Sequence, residues 1–274
     1  MKFETLHIIA NLIGARDYPG ACKAIDLALI TEEGPQWQKH LGRLALFLGD
    51  PELVPFATIM AKGNGKLPFL AFSVLPGVSC PGAGDCLDFC YSFKSWRYPA
   101  AFVRQAQNLV LVRENRPAIL ADLDKYWQDT PVDFRLYVDG DFDSIATVNF
   151  WWQALADRTW LRCYGYSKSF SQILRAKKAP KNYRLNMSSG HKHTRQTVQK
   201  VSALECTRGY FVAVDMGRQV SSSDHGDKAH QSRLRKAYGR KAFTCPGKCG
   251  ECTPAGHACG SARFNDIDII IAAH

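Results

Sequence analysis

Seven of the ten cysteines in this sequence fall into two short clusters. The first reads Cys80-Pro-Gly-Ala-Gly-Asp-Cys86-Leu-Asp-Phe-Cys90, and the second reads Cys245-Pro-Gly-Lys-Cys249-Gly-Glu-Cys252-Thr-Pro-Ala-Gly-His-Ala-Cys259. In a reducing compartment, clustered thiols are metal or iron–sulfur ligands more often than disulfides. A structural zinc site takes four protein ligands and closes. The three thiolates of the first cluster would instead leave one iron of a [4Fe–4S] cubane open to an outside ligand. Gly82 and Gly84 give that loop the freedom to wrap a cluster, and amides freed in it are donors for the sulfides. Four cysteines in fifteen residues suit either a closed zinc knuckle or a second iron–sulfur cluster at Cys245, Cys249, Cys252 and Cys259. Thiolate softness does not separate the two metals, and His257 is a substitute ligand. A further arrangement joins both cysteine sets in one four-thiolate site. Cys22, Cys163 and Cys206 stand alone in apolar surroundings and read as core.

The other residues with chemistry to offer follow predicted strands. Asp139-Gly140-Asp141-Phe-Asp143-Ser144, Tyr166-Ser167-Lys168-Ser169 and Asn186-Met-Ser188-Ser189-Gly190-His191 each end an apolar run. In parallel α/β folds, sites are built at the C-terminal ends of strands. Gly140, Asp141, Ser167, Lys168 and Ser188 are therefore the candidate cofactor-binding residues, sharing a pocket with the first cysteine loop. The same residues are also good turn and cap chemistry. His191, His193, His225 and His230 sit in polar stretches and are expected to be solvated. Phe93, Trp96, Arg97 and Tyr98 are expected to shield a cluster from water, with base stacking as the other use of such a pattern. Trp151-Trp152 reads as packing.

These residues need elements to hold them. Residues 1–60 carry helical periodicity, with Leu6, Ile9, Leu12 and Ile13 in one run and Cys22, Ile25, Leu29 and Ile30 in the next. Residues 61–216 alternate strands and helices. Strands are expected at 67–75, 134–138, 161–166, 183–187 and 210–214, and helices at 100–113, 117–128, 144–156, 170–176 and 194–204. Repeats of this length argue for an α/β fold with a parallel sheet, barrel-like in part. Residues 217–274 form a C-terminal cysteine-rich extension. It opens on a basic stretch containing Arg218, Lys228, Arg233, Arg235, Lys236, Arg240 and Lys241, a loop or surface helix. It closes on a strand at 267–271. Cys245, Cys249 and Cys252 are expected to lack a strand before them.

Lysine and arginine number 35 against 25 aspartates and glutamates, a net charge of +10. That balance favours an anionic partner, a nucleic acid or a nucleotide. No apolar stretch is long enough to span a bilayer and no secretory leader opens the sequence, so the expected location is the cytoplasm. Oligomeric state is open.

Two resemblances rest on these residues. A three-cysteine loop after the first strand of an α/β unit, with Phe89 before the last cysteine and Tyr91 after it, resembles the radical S-adenosylmethionine enzymes. Their usual spacing is Cys-x3-Cys-x2-Cys, whereas this loop has x5 and then x3, so the likeness is one of context. Cys245, Cys249 and Cys252 do have x3 then x2, and with Cys259 they resemble the auxiliary-cluster extension of some such enzymes. The resemblance implies a [4Fe–4S] cluster on Cys80, Cys86 and Cys90 whose open iron chelates S-adenosylmethionine. It also implies reductive cleavage to a 5′-deoxyadenosyl radical, with Gly140-Asp141 near the cofactor's amino group. The closer resemblance is to the phage and plasmid family called gene product 88. It runs through Lys62-Gly-Asn-Gly-Lys66, Leu75-Pro-Gly-Val-Ser-Cys80-Pro-Gly, Cys86-x3-Cys90-Tyr91 and Phe134-Arg-Leu-Tyr-Val-Asp-Gly-Asp141-Phe-Asp-Ser144. It continues through Tyr164-Gly-Tyr-Ser-Lys-Ser169, the C-terminal cysteines and His274, so that residues 60–274 are covered in order. This implies a mobile-element setting and iron–sulfur binding. The alternative expectation is a non-radical iron–sulfur or zinc protein that binds nucleic acid.

Overall fold

The computed structural model describes every residue except Glu33, Lys66, Phe89, 218–223, Glu251, 253–256 and His274. Lys66, Phe89, Arg218 and His274, all noted in the sequence, thus lie outside the described residues.

Three helices come first, α1 (Phe3–Gly14), α2 (Tyr18–Thr31) and α3 (Pro35–Gly49). Asp17 starts α2 by accepting the Gly20 amide at 2.9 Å, a side-chain oxygen satisfying one of the free donors of a first turn. The rest alternates: β1 (Leu70–Ala71), α4 (Pro99–Glu114), α5 (Arg116–Asp124), β2 (Val132–Leu136), α6 (Ile145–Ala156), β3 (Leu161–Ser167) and α7 (Phe170–Arg175). Then follow β4 (Tyr183–Ser188), α8 (Arg195–Ser202), β5 (Thr207–Val214), α9 (Lys228–Tyr238), β6 (Ala242–Thr244) and β7 (Asp268–Ala272). The strands form one seven-stranded sheet in the order β1-β2-β3-β4-β5-β7-β6. Every pairing is parallel, so all loops that leave strand C-termini emerge on one side.

Period-two alternation divides the strand residues between two faces. Phe134 and Leu136 turn toward the helices, where they join Ile9, Leu44, Leu109, Trp151 and Leu185 in the main core. Helices α1 and α3 pack on α4, so the N-terminal helices and the sheet share that core. The opposite face carries Phe69, Tyr164, Ile269, Ala258 and Cys259. The C-terminal cysteine segment therefore covers the second face of the sheet.

Three differences from the sequence expectation have physical reasons. The apolar run 67–75 yields only the two residues of β1, after Pro68, which has no N–H to donate. Beyond β1 the chain follows β2 irregularly, through Val74 N–H to the Asp139 carbonyl at 3.0 Å. Strand β6 is three residues long and follows a basic stretch, so no apolar run announces it. The closing strand β7 lies inside the sheet, between β5 and β6.

Candidate functional site

The first cysteine loop leaves β1 and is docked onto the ends of β3 and β4. Gly84 N–H donates to the Gly190 carbonyl at 3.0 Å, Cys86 N–H to the same oxygen at 3.3 Å, and Lys192 N–H to the Gly82 carbonyl at 3.1 Å. The approach is close because Gly82 has no side chain: a Cβ there would overlap the Lys168 carbonyl oxygen. Ser79 fastens the loop to the end of β2, donating to the Leu75 carbonyl at 2.6 Å and accepting the Asp141 amide at 3.3 Å.

The turn after β2 is strained where it begins. Tyr137, a bulky residue, has φ of 56°, a left-handed conformation that costs on the order of 1–2 kcal/mol. Burial holds it there: its ring packs edge-on to Phe72, Phe142 and Trp151, and its hydroxyl accepts the Trp151 indole N–H at 3.1 Å. Gly140, at φ 77°, would bring a Cβ into Val74 and Ser79. Asp141 is buried and its carboxylate is fully engaged, accepting from Ser167 Oγ, Lys168 N–H and Phe142 N–H at 2.7 Å each. Burial raises its carboxyl above the ordinary value, against those hydrogen bonds and the Lys168 charge. Lys168 Nζ in turn donates to Ser188 Oγ at 2.8 Å.

The second cysteine segment follows a strand after all. Strand β6 ends at Thr244 and Cys245 is the next residue, so Cys245, Cys249 and Cys252 lie in the crossover from β6 to β7. Cys245 N–H donates to the Ile270 carbonyl at 2.8 Å. Backbone amides are aimed at the sulfurs: Gly247 N–H reaches Cys245 Sγ at 3.4 Å, and Ala258 N–H reaches Cys252 Sγ at 3.3 Å. Cys259 is buried, and its carbonyl accepts from Asn186 Nδ2 at 3.0 Å. Arg208, wholly buried, stiffens the same corner by donating to Asn186 Oδ1 and to the carbonyls of Tyr210, Phe264 and Ile267.

Both segments open on one cavity of about 450 Å³. Cys80, Cys86, Cys90, Cys245, Cys249, Cys252 and Cys259 all line it, with Gly140, Asp141, Lys168 and Ser188. Ser167 does not reach the cavity, and its hydroxyl acts on Asp141 instead. Burial pushes the thiols of Cys80 and Cys259 up to about 12 and that of Cys245 to about 11; the Asp141 charge adds to the effect at Cys80. Among the described residues, no three Cys, His, Asp or Glu side chains gather closely enough for a single metal ion. Four thiolates on one zinc would stand about 3.8 Å apart. The seven thiols line one cavity, and an all-sulfur donor set, with amides directed at Cys245 and Cys252, fits an iron–sulfur cluster or zinc.

Other sequence expectations are redirected. His257 is turned away from a ligand role: its Nδ1 accepts the Gly260 amide at 3.1 Å, its Nε2 lies 3.6 Å from Asp133, and its ring packs on Phe69 and Tyr164. His225 and His230 are buried rather than solvated, the first in the tight turn Asp224–Gly226 and the second in the first turn of α9. Trp96 belongs to the helix core, packed on Phe3, Phe93 and Phe102 with its N–H on Gln105, and not over the cysteines. Asp143 and Ser144 serve structure: Asp143 pairs with Arg113 at 2.6 Å and Ser144 caps α6. Sequence reasoning missed Arg135 and Tyr164, which with Tyr166 of the strand-end motif line the cavity. The signal for Arg135 was its place between Phe134 and Leu136 in a strand, which turns a charged side chain to the face opposite the main core.

Fold and cavity together define a parallel α/β protein with two cysteine segments meeting over the C-terminal ends of its strands. The family model of gene product 88 matches residues 52–266, and the chain belongs to that family. No curated protein and no solved structure matches the chain. Among the described residues, no helix is long and apolar enough to cross a membrane.

Proposed function

We propose that the chain is an iron–sulfur protein of a phage or plasmid, acting as a radical S-adenosylmethionine-type enzyme with a partly barrel-like sheet. Cys80, Cys86 and Cys90 would hold a [4Fe–4S] cluster, and Cys245, Cys249, Cys252 and Cys259 a second cluster or a zinc ion. The observation that carries this reading is the meeting of a three-thiol loop with Asp141, Lys168 and Ser188 at one end of a parallel sheet. Such a cluster, when bound, supplies one-electron cleavage of S-adenosylmethionine.

The chain's own residues have definite tasks in this reading. Lys168, steadied by Ser188, offers a cation to a carboxylate at the strand ends. Asp141 holds the Lys168 amide and the Ser167 hydroxyl in place, so the β2 and β3 ends keep one geometry. Gly140 allows close approach of a ligand to the β2 turn. Leu67, Val138, Phe211 and Ile269 give the cavity an apolar lining that excludes water.

A second reading, a non-radical metal protein that binds nucleic acid, has one observation in its favour. Helix α9 presents Lys228, Arg233, Arg235 and Lys236 to solvent, on a chain of net charge +10. Phosphate contacts of that kind weaken steeply with salt.

The test is iron, sulfide and zinc per chain on anaerobically purified protein, with electron paramagnetic resonance of the dithionite-reduced state. A cluster signal that shifts on adding S-adenosylmethionine is the expected result. Zinc alone, or a cluster indifferent to S-adenosylmethionine, overturns the radical reading and leaves the nucleic-acid one.

A further inference from the structure

The floor of the cavity holds a guanidinium with a buried, unmet donor. Arg135 rises from the middle of β2, on the face opposite Phe134 and Leu136, in register with Tyr164 of β3. Its Nε is buried and has no hydrogen-bond partner. Its guanidinium lies 4.7 Å over the Tyr166 ring and hydrogen-bonds to the Tyr91 phenol oxygen, which leaves Nε as the unmet donor. Among the described residues, no carboxylate forms an ion pair with it. Asp133, on the same strand, pairs with Arg162 at 2.9 Å; Asp139, past the strand end, feels the Arg135 charge but accepts its hydrogen bond from Gln105 Nε2 at 3.0 Å. The other cation at the strand ends, Lys168, already donates to Ser188.

Burying a cation costs several kcal/mol unless a partner and hydrogen bonds compensate it. The ring of Tyr166 offsets part of that cost but offers nothing to the N–H donors. A guanidinium presents its donors as a planar fork, which matches the two oxygens of a carboxylate or phosphate. Tyr91, Tyr164, Tyr166 and Phe211 surround this fork with aromatic faces, which suit a flat or apolar body attached to the anion.

We propose that Arg135 is an oxyanion-recognition residue, and that the molecule entering this cavity carries a carboxylate or phosphate that binds bidentately to it. This site is separate from the strand-end position of Lys168. It does not depend on the cluster assignment, since it can be probed on protein without iron.

The experiment follows thermal unfolding and calorimetric binding of the full chain with sodium phosphate and with sodium acetate. Sodium chloride at matched ionic strength is the reference. The wild type is expected to show saturable stabilisation by at least one oxyanion beyond chloride. Arg135→Gln should weaken that binding at least tenfold, and Arg135→Lys, which keeps the charge and loses the fork, should weaken it less. Arg233→Gln, on the exposed face of α9, should bind as the wild type does, which separates the cavity from the basic surface. Phosphate against acetate distinguishes the two ligand sources. Absence of saturable binding in the wild type overturns the proposal, and so does an Arg135→Gln protein that binds normally. Should Arg135→Gln not fold, the wild-type titration and Arg135→Lys still decide: equal affinity in those two proteins counts against the fork. A wild type indifferent to both oxyanions, with Arg135→Gln losing bound iron, would also overturn it and make Arg135 the counter-charge of a cluster.

Discussion

Gly82 is the residue at which the cysteine loop and the strand ends come closest. Its glycine identity reads from sequence as freedom for a loop to wrap a cluster; the structure adds a second reason, that the loop must lie against the Lys168 carbonyl. Gly82→Ala is therefore expected to lift the loop and to lose about 1–3 kcal/mol of stability, the range for forced overlap. On the proposed cluster assignment, bound iron should also fall to less than half. Urea unfolding and iron analysis check both, and a variant with full stability and full iron would show that loop docking does not set the thiol positions. Gly42 makes the opposite case. It lies within α3, and a Cβ there would meet nothing within 4 Å. Gly42→Ala is expected to gain up to about 1 kcal/mol from helix propensity alone, read as a higher urea midpoint. Composition treats these glycines alike, and only the surroundings of each Cβ separate them.

Helices were readable from their starts, because capping is local chemistry. Ser144 before α6 was visible as a cap, and its hydroxyl accepts the Thr147 amide at 3.1 Å; Ser144→Ala should cost about 1 kcal/mol. The shortest strands were less readable: β1 lies inside a longer expected strand, 67–75, and β6 was not expected. Strands β1 and β6 are held by their neighbours in the sheet, and two or three residues carry no period of their own. Arg208 was hidden for a related reason. An arginine in a strand reads as solvent-facing, yet this one is wholly buried and ties β4, β5 and the segment before β7 together. Arg208→Met is expected to cost about 3–5 kcal/mol, since four acceptors lose their donor inside the fold. The loss should begin at the C-terminal corner. Hydrogen exchange ought to find β7 opening before β2 in this variant, and uniform loss of protection would deny Arg208 a local role.

Across the whole molecule, the sheet's parallel order followed from the alternation of strand and helix, and the shared pocket followed from polar residues at strand ends. The joining of the two cysteine segments over one cavity was only one of the arrangements that the sequence left open. That depends on how residues 245–259 fold back across the sheet, a contact between parts more than 150 residues apart. Asp133 is one of the ties that hold this return. It stands on β2 beside Arg162 of β3, 2.9 Å away, and reaches His257 of the returning segment at 3.6 Å. Burial works to raise its carboxyl, but the hydrogen bond and charge of His257, and then of Arg162, hold it below the ordinary carboxylate value. A carboxyl depressed in the folded state contributes stability above its unfolded value, about 3.9, and loses it as pH falls through the folded value. The wild type should therefore exceed Asp133→Asn by under about 1 kcal/mol at neutral pH, Arg162 being exposed. That difference should hold down to about pH 5 and vanish in stronger acid. Urea unfolding of both proteins between pH 3 and 7 measures it. A difference that grows as pH falls below about 4, where the carboxylate is being protonated, would reverse the sign of the coupling. It would mean that the carboxylate burdens the fold and does not tie the cysteine segment to the sheet.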